Sequence, residues 1–285
     1  MTSFFWSRGW LAAIFILAGA SLANAEPGRM PMPGSLNSVE GQVTFDGHRV
    51  QARALPSEAG SKPEIIDTRR GKAELLLTPG SFLRIGGDSE ARVVSRTFGN
   101  TTISLLKGAA ILDAQANFKQ DLTTLMDGTR TEIAKKGTYA FDAQGQRIAV
   151  LRGKAIVFDG NSRITVKGKR QLRIGGQTPL RTNKLNVRAF KASPLYRWNE
   201  VRSRYESKAR RSVQETIAQS GHWSGPGWYW SRFWGFYTYL PSAGPYYWSP
   251  YYGPYYGPAW GDWDGDGGWG GWGWGGWDDD DGDGG

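Results

Sequence analysis

The stretch RIAVLRGKAIVF (residues 147–158) places two apolar runs on either side of one glycine, Gly153. In the first run Ile148 and Val150 fall on one side of an extended chain. Ile164 and Val166 repeat that period of two a few residues later, as half-buried strands do. Working outward, short apolar segments recur at about ten-residue spacing: 39–45, 73–77, 82–85, 91–95, 101–106, 109–113, 122–126, 131–134, 138–142, 147–151, 155–158, 163–166 and 171–174. Turn signals separate them at Asp46-Gly47, Pro79-Gly80, Gly86-Gly87-Asp88, Gly99-Asn100, Asp127-Gly128, Asp159-Gly160 and Lys167-Gly168. No helical period runs through this region. The pattern predicts an all-β domain over 35–176, folded as a sandwich, a closed barrel or a β-roll. Roughly 140 residues suffice to bury nearly 70% of the unfolded chain's surface, so the domain needs no staple.

Four short patterns occur in a fixed order along these strands. LLLTPGSFLRI (75–85) carries a Gly80-Ser81 turn, and ISLLKGAAIL (103–112) ends a strand at Gly108. KKGTYAFD (135–142) holds Gly137-Thr138-Tyr139, and the closing run spans Val150 to Val157. In this order they resemble the FecR domain, with Ala155 standing where the family's first closing valine falls. Gly108 and Gly153 are expected to reverse successive strands at φ > 0. The resemblance covers about half of the chain. It implies a FecR-like extracytoplasmic β domain that binds another protein or an envelope polymer, without catalytic residues. The best understood relatives span the inner membrane and hold a sigma factor through a long cytoplasmic N-terminal region. Only about eight residues precede the apolar run here, so sigma-factor regulation ranks below the other readings.

That apolar run is GWLAAIFILAGA (9–20), preceded by Arg8 and followed by Ala23-Asn24-Ala25, the small-x-small pattern that a signal peptidase cuts. The expectation is a cleaved signal peptide over 1–25, a linker over 26–34, and a periplasmic or secreted protein; an uncleaved N-terminal anchor is the alternative. The chain has no cysteine, which excludes disulfide scaffolds, thiolate metal sites and thiol nucleophiles.

Beyond the strands, 177–192 reads as a basic linker and 193–220 as one amphipathic helix. Ser193 is placed to cap it and Pro194 to begin it. Leu195, Trp198, Val201, Tyr205, Ala209, Val213 and Ile217 recur at three- and four-residue steps and are expected to face the core of the β domain or, alternatively, a partner or lipid surface. Arg197, Arg202, Arg204, Lys208, Arg210 and Arg211 would form the other face. Charge is unevenly spread: residues 163–211 hold fifteen bases and two acids, whereas 221–285 hold one arginine and eight aspartates. That last segment also carries eleven of the fourteen tryptophans, and its many glycines and prolines predict a disordered, low-complexity tail. It resembles an aromatic extension that follows FecR-like domains in some soil-type bacteria. Its aromatics are expected to be exposed, and the opposed charges predict attraction between tail and helix.

The candidate partner-binding residues are therefore Arg197, Arg202, Arg204, Lys208, Arg211, Trp228, Trp230, Trp234, Tyr237 and Trp248. The partner is an envelope protein or, alternatively, a glycan or peptidoglycan; contact with an anionic membrane surface also suits the charge. No nucleic-acid motif is present. Asp262, Asp264 and Asp266 reproduce the opening of a calcium loop, but Gly273 stands where a glutamate is needed, so no metal site is assigned. No cofactor motif and no catalytic residue is assigned either; Glu132, Asp142 and Asp159 read as turn or strand-edge residues, and no HExxH, P-loop or GxSxG occurs. Export predicts a mature N-terminus near Glu26. Intact-mass spectrometry should find 1–25 removed, whereas a retained 1–25 would indicate an anchored protein.

Overall fold

The structure, a computed structural model, describes residues 31–50, 64–115, 121–175, 179–221 and 224–241, and the backbone of 246–249 and 253–256. The leader over 1–25, His222, the aspartates of 262–266 and the acidic end all lie outside these residues. The strands are β1 (Ser35–Glu40), β2 (Val43–Phe45), β3 (His48–Val50), β4 (Glu64–Asp67), β5 (Lys72–Leu76), β6 (Ser81–Ile85), β7 (Glu90–Thr97), β8 (Asn100–Lys107) and β9 (Ala109–Ala114). They continue as β10 (Asp121–Met126), β11 (Thr129–Ile133), β12 (Gly137–Asp142), β13 (Arg147–Arg152), β14 (Lys154–Asp159), β15 (Ser162–Lys167), β16 (Arg170–Arg173) and β17 (Thr182–Lys184). Two helices follow, α1 (Val187–Ala192) and α2 (Pro194–Ser220), and then the strands β18 (Gly227–Ser231), β19 (Phe236–Leu240), β20 (Tyr246–Ser249) and β21 (Gly253–Tyr256).

The chain is mostly β, and its strands form a sandwich. One sheet has the order β1-β5-β6-β9-β12-β13-β16-β17 and the other β15-β14-β11-β10-β8-β7-β4-β2-β3. The chain crosses between sheets after every one to three strands. All pairs are antiparallel except β8 with β10, because β9 crosses to the opposite sheet between them. The core lies between the sheets and includes Leu75, Leu83, Ile85, Leu112, Phe141, Ile148 and Val150 from the first, with Ile66, Val93, Ile103, Val157 and Val166 from the second. Burial of this apolar area is the main favourable term in folding.

Gly108 and Gly153 do take up positive φ, at 79° and 98°. They do not close hairpins: each is a one-residue corner at which the chain leaves one sheet and enters the other. A Cβ on Gly153 would collide with the Tyr139 hydroxyl, and one on Gly108 with Ser89. Tyr139, fully buried, explains its own motif. Its hydroxyl proton is shared between the carbonyls of Lys135 and Lys154, the latter at 3.2 Å, and its oxygen accepts from the Lys154 amide at 3.1 Å, which ties the residue after the corner to the segment before β12. Burial raises the pKa of this phenol. Gly137 leaves room for the Arg152 carbonyl.

The predicted strand at 39–45 is two strands, because Gly41, at φ 73°, turns the chain from the first sheet into the second. Short strands at 48–50, 64–67 and 182–184 carry too few apolar residues to announce themselves. Part of the basic linker over 177–192 is the short helix α1. The larger correction concerns the tail: β18 and β19 form a hairpin with all but Tyr229 and Trp230 buried, and β20 pairs with β21. Pro226 and Pro241 flank the first hairpin and none interrupts it, so the proline density of the wider segment misled the expectation of irregular structure.

Replacing Gly153 by alanine forces strain at positive φ and displaces Tyr139. Chemical denaturation should show a loss of roughly 2–4 kcal/mol. Tyr139→Phe, which takes this partner from the Lys154 amide and the Lys135 carbonyl, should cost about 1–3 kcal/mol.

Candidate functional site

The two faces of the first sheet differ in chemistry from those of the second. In β8 burial alternates, as expected of a sheet wetted on one side, whereas every residue of β6 is buried. Something must cover the outer face of β6. That cover is α1, α2 and the β18–β19 hairpin. At one end Ile111, Ala149 and Leu151 meet Leu185 and Tyr196, with Phe190 and Leu195 packed alongside. At the other Leu76 and Phe82 meet Trp228, Tyr237 and Tyr239, with the Phe82 and Trp228 rings edge-on at 5.1 Å.

Between these apolar ends the sheet presents Glu74, Arg84 and Asp113 from three adjacent strands. Arg84 has no exposed surface. Its Nε donates to Glu74 at 2.6 Å, and its Nη1 donates to Asp113 at 2.5 Å, Asn199 Oδ1 at 2.6 Å and Ser203 Oγ at 3.1 Å. Arg202 donates to the other Glu74 oxygen at 2.7 Å. One turn on, Arg210 donates to Glu206 and to Gln115 at 2.8 Å, and Gln115 donates to Glu206 at 3.0 Å. Three buried arginines thus meet three buried carboxylates, and the interface is formally neutral.

This interface overturns one expectation. The helix has the predicted ends, with Ser193 Oγ accepting from Tyr196 N at 3.3 Å and Gly221 closing it at φ 69°. Its face is rotated from the predicted apolar stripe. Trp198, Asn199, Arg202, Ser203, Glu206, Ala209, Arg210 and Val213 are buried, while Val201 and Tyr205 are 40% and 41% exposed. The sheet offers charge, so the helix turns its complementary charges inward. Arg202 is consequently a docking residue of the fold and does not face a partner. Trp228 and Tyr237 are likewise spent on the protein's own core.

A β-bulge joins the hairpin to this assembly. The register of β1 against β5 shifts between Leu36 and Ser38, which re-aims Asn37. Asn37 donates to Glu74 at 2.8 Å and to the Tyr237 carbonyl at 3.1 Å, and accepts from the Tyr237 amide at 2.8 Å. Thr238 donates to Glu206.

What remains outside is an aromatic and basic surface. At the β18–β19 turn Arg232 and Phe233 are exposed and Trp234 is half-buried; Phe233, at 81%, is the most exposed large hydrophobic residue among those described. Trp234 stacks on Tyr205 of α2 at 5.5 Å and also meets Phe233 and Phe236. Trp230 is partly exposed beside Tyr237. Arg197, Arg204, Lys208 and Arg211 line the outward face of α2, Arg204 and Arg211 paired with Glu200 and Glu215. Trp248 lies on β20, where only the backbone is described. Of the predicted residues, the structure brings Arg204, Lys208 and Trp234 near Tyr205, and adds Val201, which the sequence reading expected to face the core, and Phe233 and Arg232, which it omitted. Their signal was Arg232-Phe233-Trp234-Gly235 between two proline-free aromatic runs, a turn with apolar residues at its tip.

Asp142 accepts from Gly145 N and Arg147, Asp159 from Thr129, and Glu132 from Arg130, so each serves a turn or an exposed pair. Among the described residues no helix is long and apolar enough to cross a membrane, and no cluster of three or more histidines or carboxylates could hold a metal ion.

No family model matches the chain, and no curated protein does. Two crystal structures of a candidate anti-sigma factor from Parabacteroides distasonis are similar to it. One has a TM-score of 0.40 at 12% identity over 46% of this chain and 64% of that one; the other has 0.39 at 12% over 45% and 63%. This chain therefore covers less than two thirds of each.

Burial pushes the Glu74 carboxyl up, but Arg202 and Arg84 outweigh it and hold the pKa at about 2 against an ordinary 4.5. The ionised group stabilises the fold above pH 4.5, and that contribution, roughly 3 kcal/mol, falls away as the pH drops towards 2. Unfolding measured from pH 5 to pH 2 should show this loss. Glu74→Gln should be less stable at pH 7, by about 3–5 kcal/mol, and lose less over the same interval.

Proposed function

We propose that this chain is a non-catalytic, exported FecR-like protein that binds a protein partner in the bacterial envelope. The observation that carries this reading is the exposed Phe233 beside Trp234 and Tyr205, on a turn whose strands are fixed by the buried network. An exposed aromatic on a rigid support, framed by arginines, has the composition of an interface anchor. Four ordered sequence patterns, with Tyr139, Gly108 and Gly153 at the sheet corners, support the FecR likeness. The apolar run over 9–20 and Ala23-Asn24-Ala25 support export. Sigma-factor regulation is not part of the reading.

Envelope polymer is the second reading, favoured by the part-exposed indoles of Trp230 and Trp234, whose faces suit sugar rings. The full chain and its Phe233→Ala variant, which should have the same stability within about 0.5 kcal/mol, separate the two. Capture of an envelope protein should fall by about thirtyfold in the variant, the effect of one anchor residue. Sedimentation with insoluble peptidoglycan, with no protein captured, would replace this reading by the second.

A further inference from the structure

We propose that residues 261–285 of this chain occupy, within the same molecule, the surface made by the outward face of α2 and the β18–β19 turn. The six bases of α2 have divided roles: Arg202 and Arg210 neutralise buried carboxylates, which leaves Arg197, Arg204, Lys208 and Arg211 on one side. At 1.5 Å per residue these four span about 21 Å along the helix. Glu200 and Glu215 are the acids paired there, and Arg232 adds a further cation at the turn. The line is therefore net positive, and the rings of Tyr205, Phe233 and Trp234 adjoin it.

Residues 261–285 carry the complementary chemistry. They hold eight aspartates and no base, with five tryptophans interspersed. Carboxylates match the arginine and lysine line, and indoles match the aromatic patch and the guanidinium faces. The tether favours the contact. β19 packs on α2 and ends at Leu240, which is fully buried, so the intervening chain starts beside its target. Twenty residues separate Leu240 from Gly261. β20 and β21 pair within them, which brings the ends of that hairpin together, and the other nine residues as a flexible coil would span about 16 Å, within the length of the cationic line; a tether of that reach sets a local concentration on the order of millimolar. A contact too weak to form between separate molecules is then sufficiently populated to matter.

The consequence for binding rests on the partner-surface reading: any partner of this face displaces an internal competitor. The contact itself stands or falls independently. Because the chain has no cysteine, Gly285→Cys provides a single site for a nitroxide label on the full-length protein. Amides of α2 from Arg197 to Arg211 and of Arg232 to Trp234 should broaden several-fold relative to the reduced label. The effect should fall by more than half when salt screens it at 1 M, where the Debye length is about 3 Å. Replacing all eight aspartates by asparagine in the labelled chain should abolish it. Broadening that is absent, or insensitive to both salt and these replacements, overturns the proposal. So does broadening seen only between labelled and isotopically labelled molecules in a mixture, which would assign the site to a second copy. The asparagine variant should also capture the envelope partner about tenfold more strongly. Unchanged capture with intact broadening overturns the competition alone, and broadening without any captured partner supports the contact while removing the partner reading.

Discussion

Arg84 cannot reach water, and a guanidinium cannot shed its proton, so its position is tenable only if carboxylates and a helix are brought to it. That requirement organises one half of the molecule. Glu74 and Asp113 come from neighbouring strands through the register of the first sheet. Asn199 and Ser203 must come from α2, which fixes the rotation of the helix, and Arg202 follows to complete Glu74. An apolar seam would have tolerated several helix rotations; paired charges tolerate one. The aromatic hairpin is then held by Asn37 and Glu206, both members of or neighbours to the same network.

The other half is organised by backbone geometry. At Gly108 and Gly153 a single residue carries the chain from one sheet to the other, and Ser89 and Tyr139 occupy the space a side chain would need. The first sheet's outer face receives both helices and the β18–β19 hairpin. The exposed aromatic and basic surface thus lies on the covered side, on the cover itself, and its presentation depends on residues buried beneath.

Much of this was legible in the sequence. Alternation in 147–151 and 163–166 located strands, Ser193 and Pro194 marked the start of α2, and its apolar spacing placed the end near Ser220. Positive φ at Gly108 and Gly153 was legible too, but their role as corners was not, because a one-residue reversal and a one-residue crossing use the same amino acid. The face of α2 was misread because apolar spacing was weighed against an imagined apolar sheet. Glu74, Arg84 and Asp113 are 39 residues apart at the extremes and converge only through pairing of β5, β6 and β9. Phe233 was passed over because the segment around it was judged by its prolines, which lie at the edges of the hairpin.

Asn37 and Tyr237 are 200 residues apart, yet they exchange both an amide and a carbonyl bond. The first strand of the domain is therefore completed by almost the last described one. Nearly the whole described region must be in place before this closure can form, and a loop of that length is slow to close. Until the hairpin docks, Leu76 and Phe82 on the outer face of the first sheet lack the cover of Trp228, Tyr237 and Tyr239.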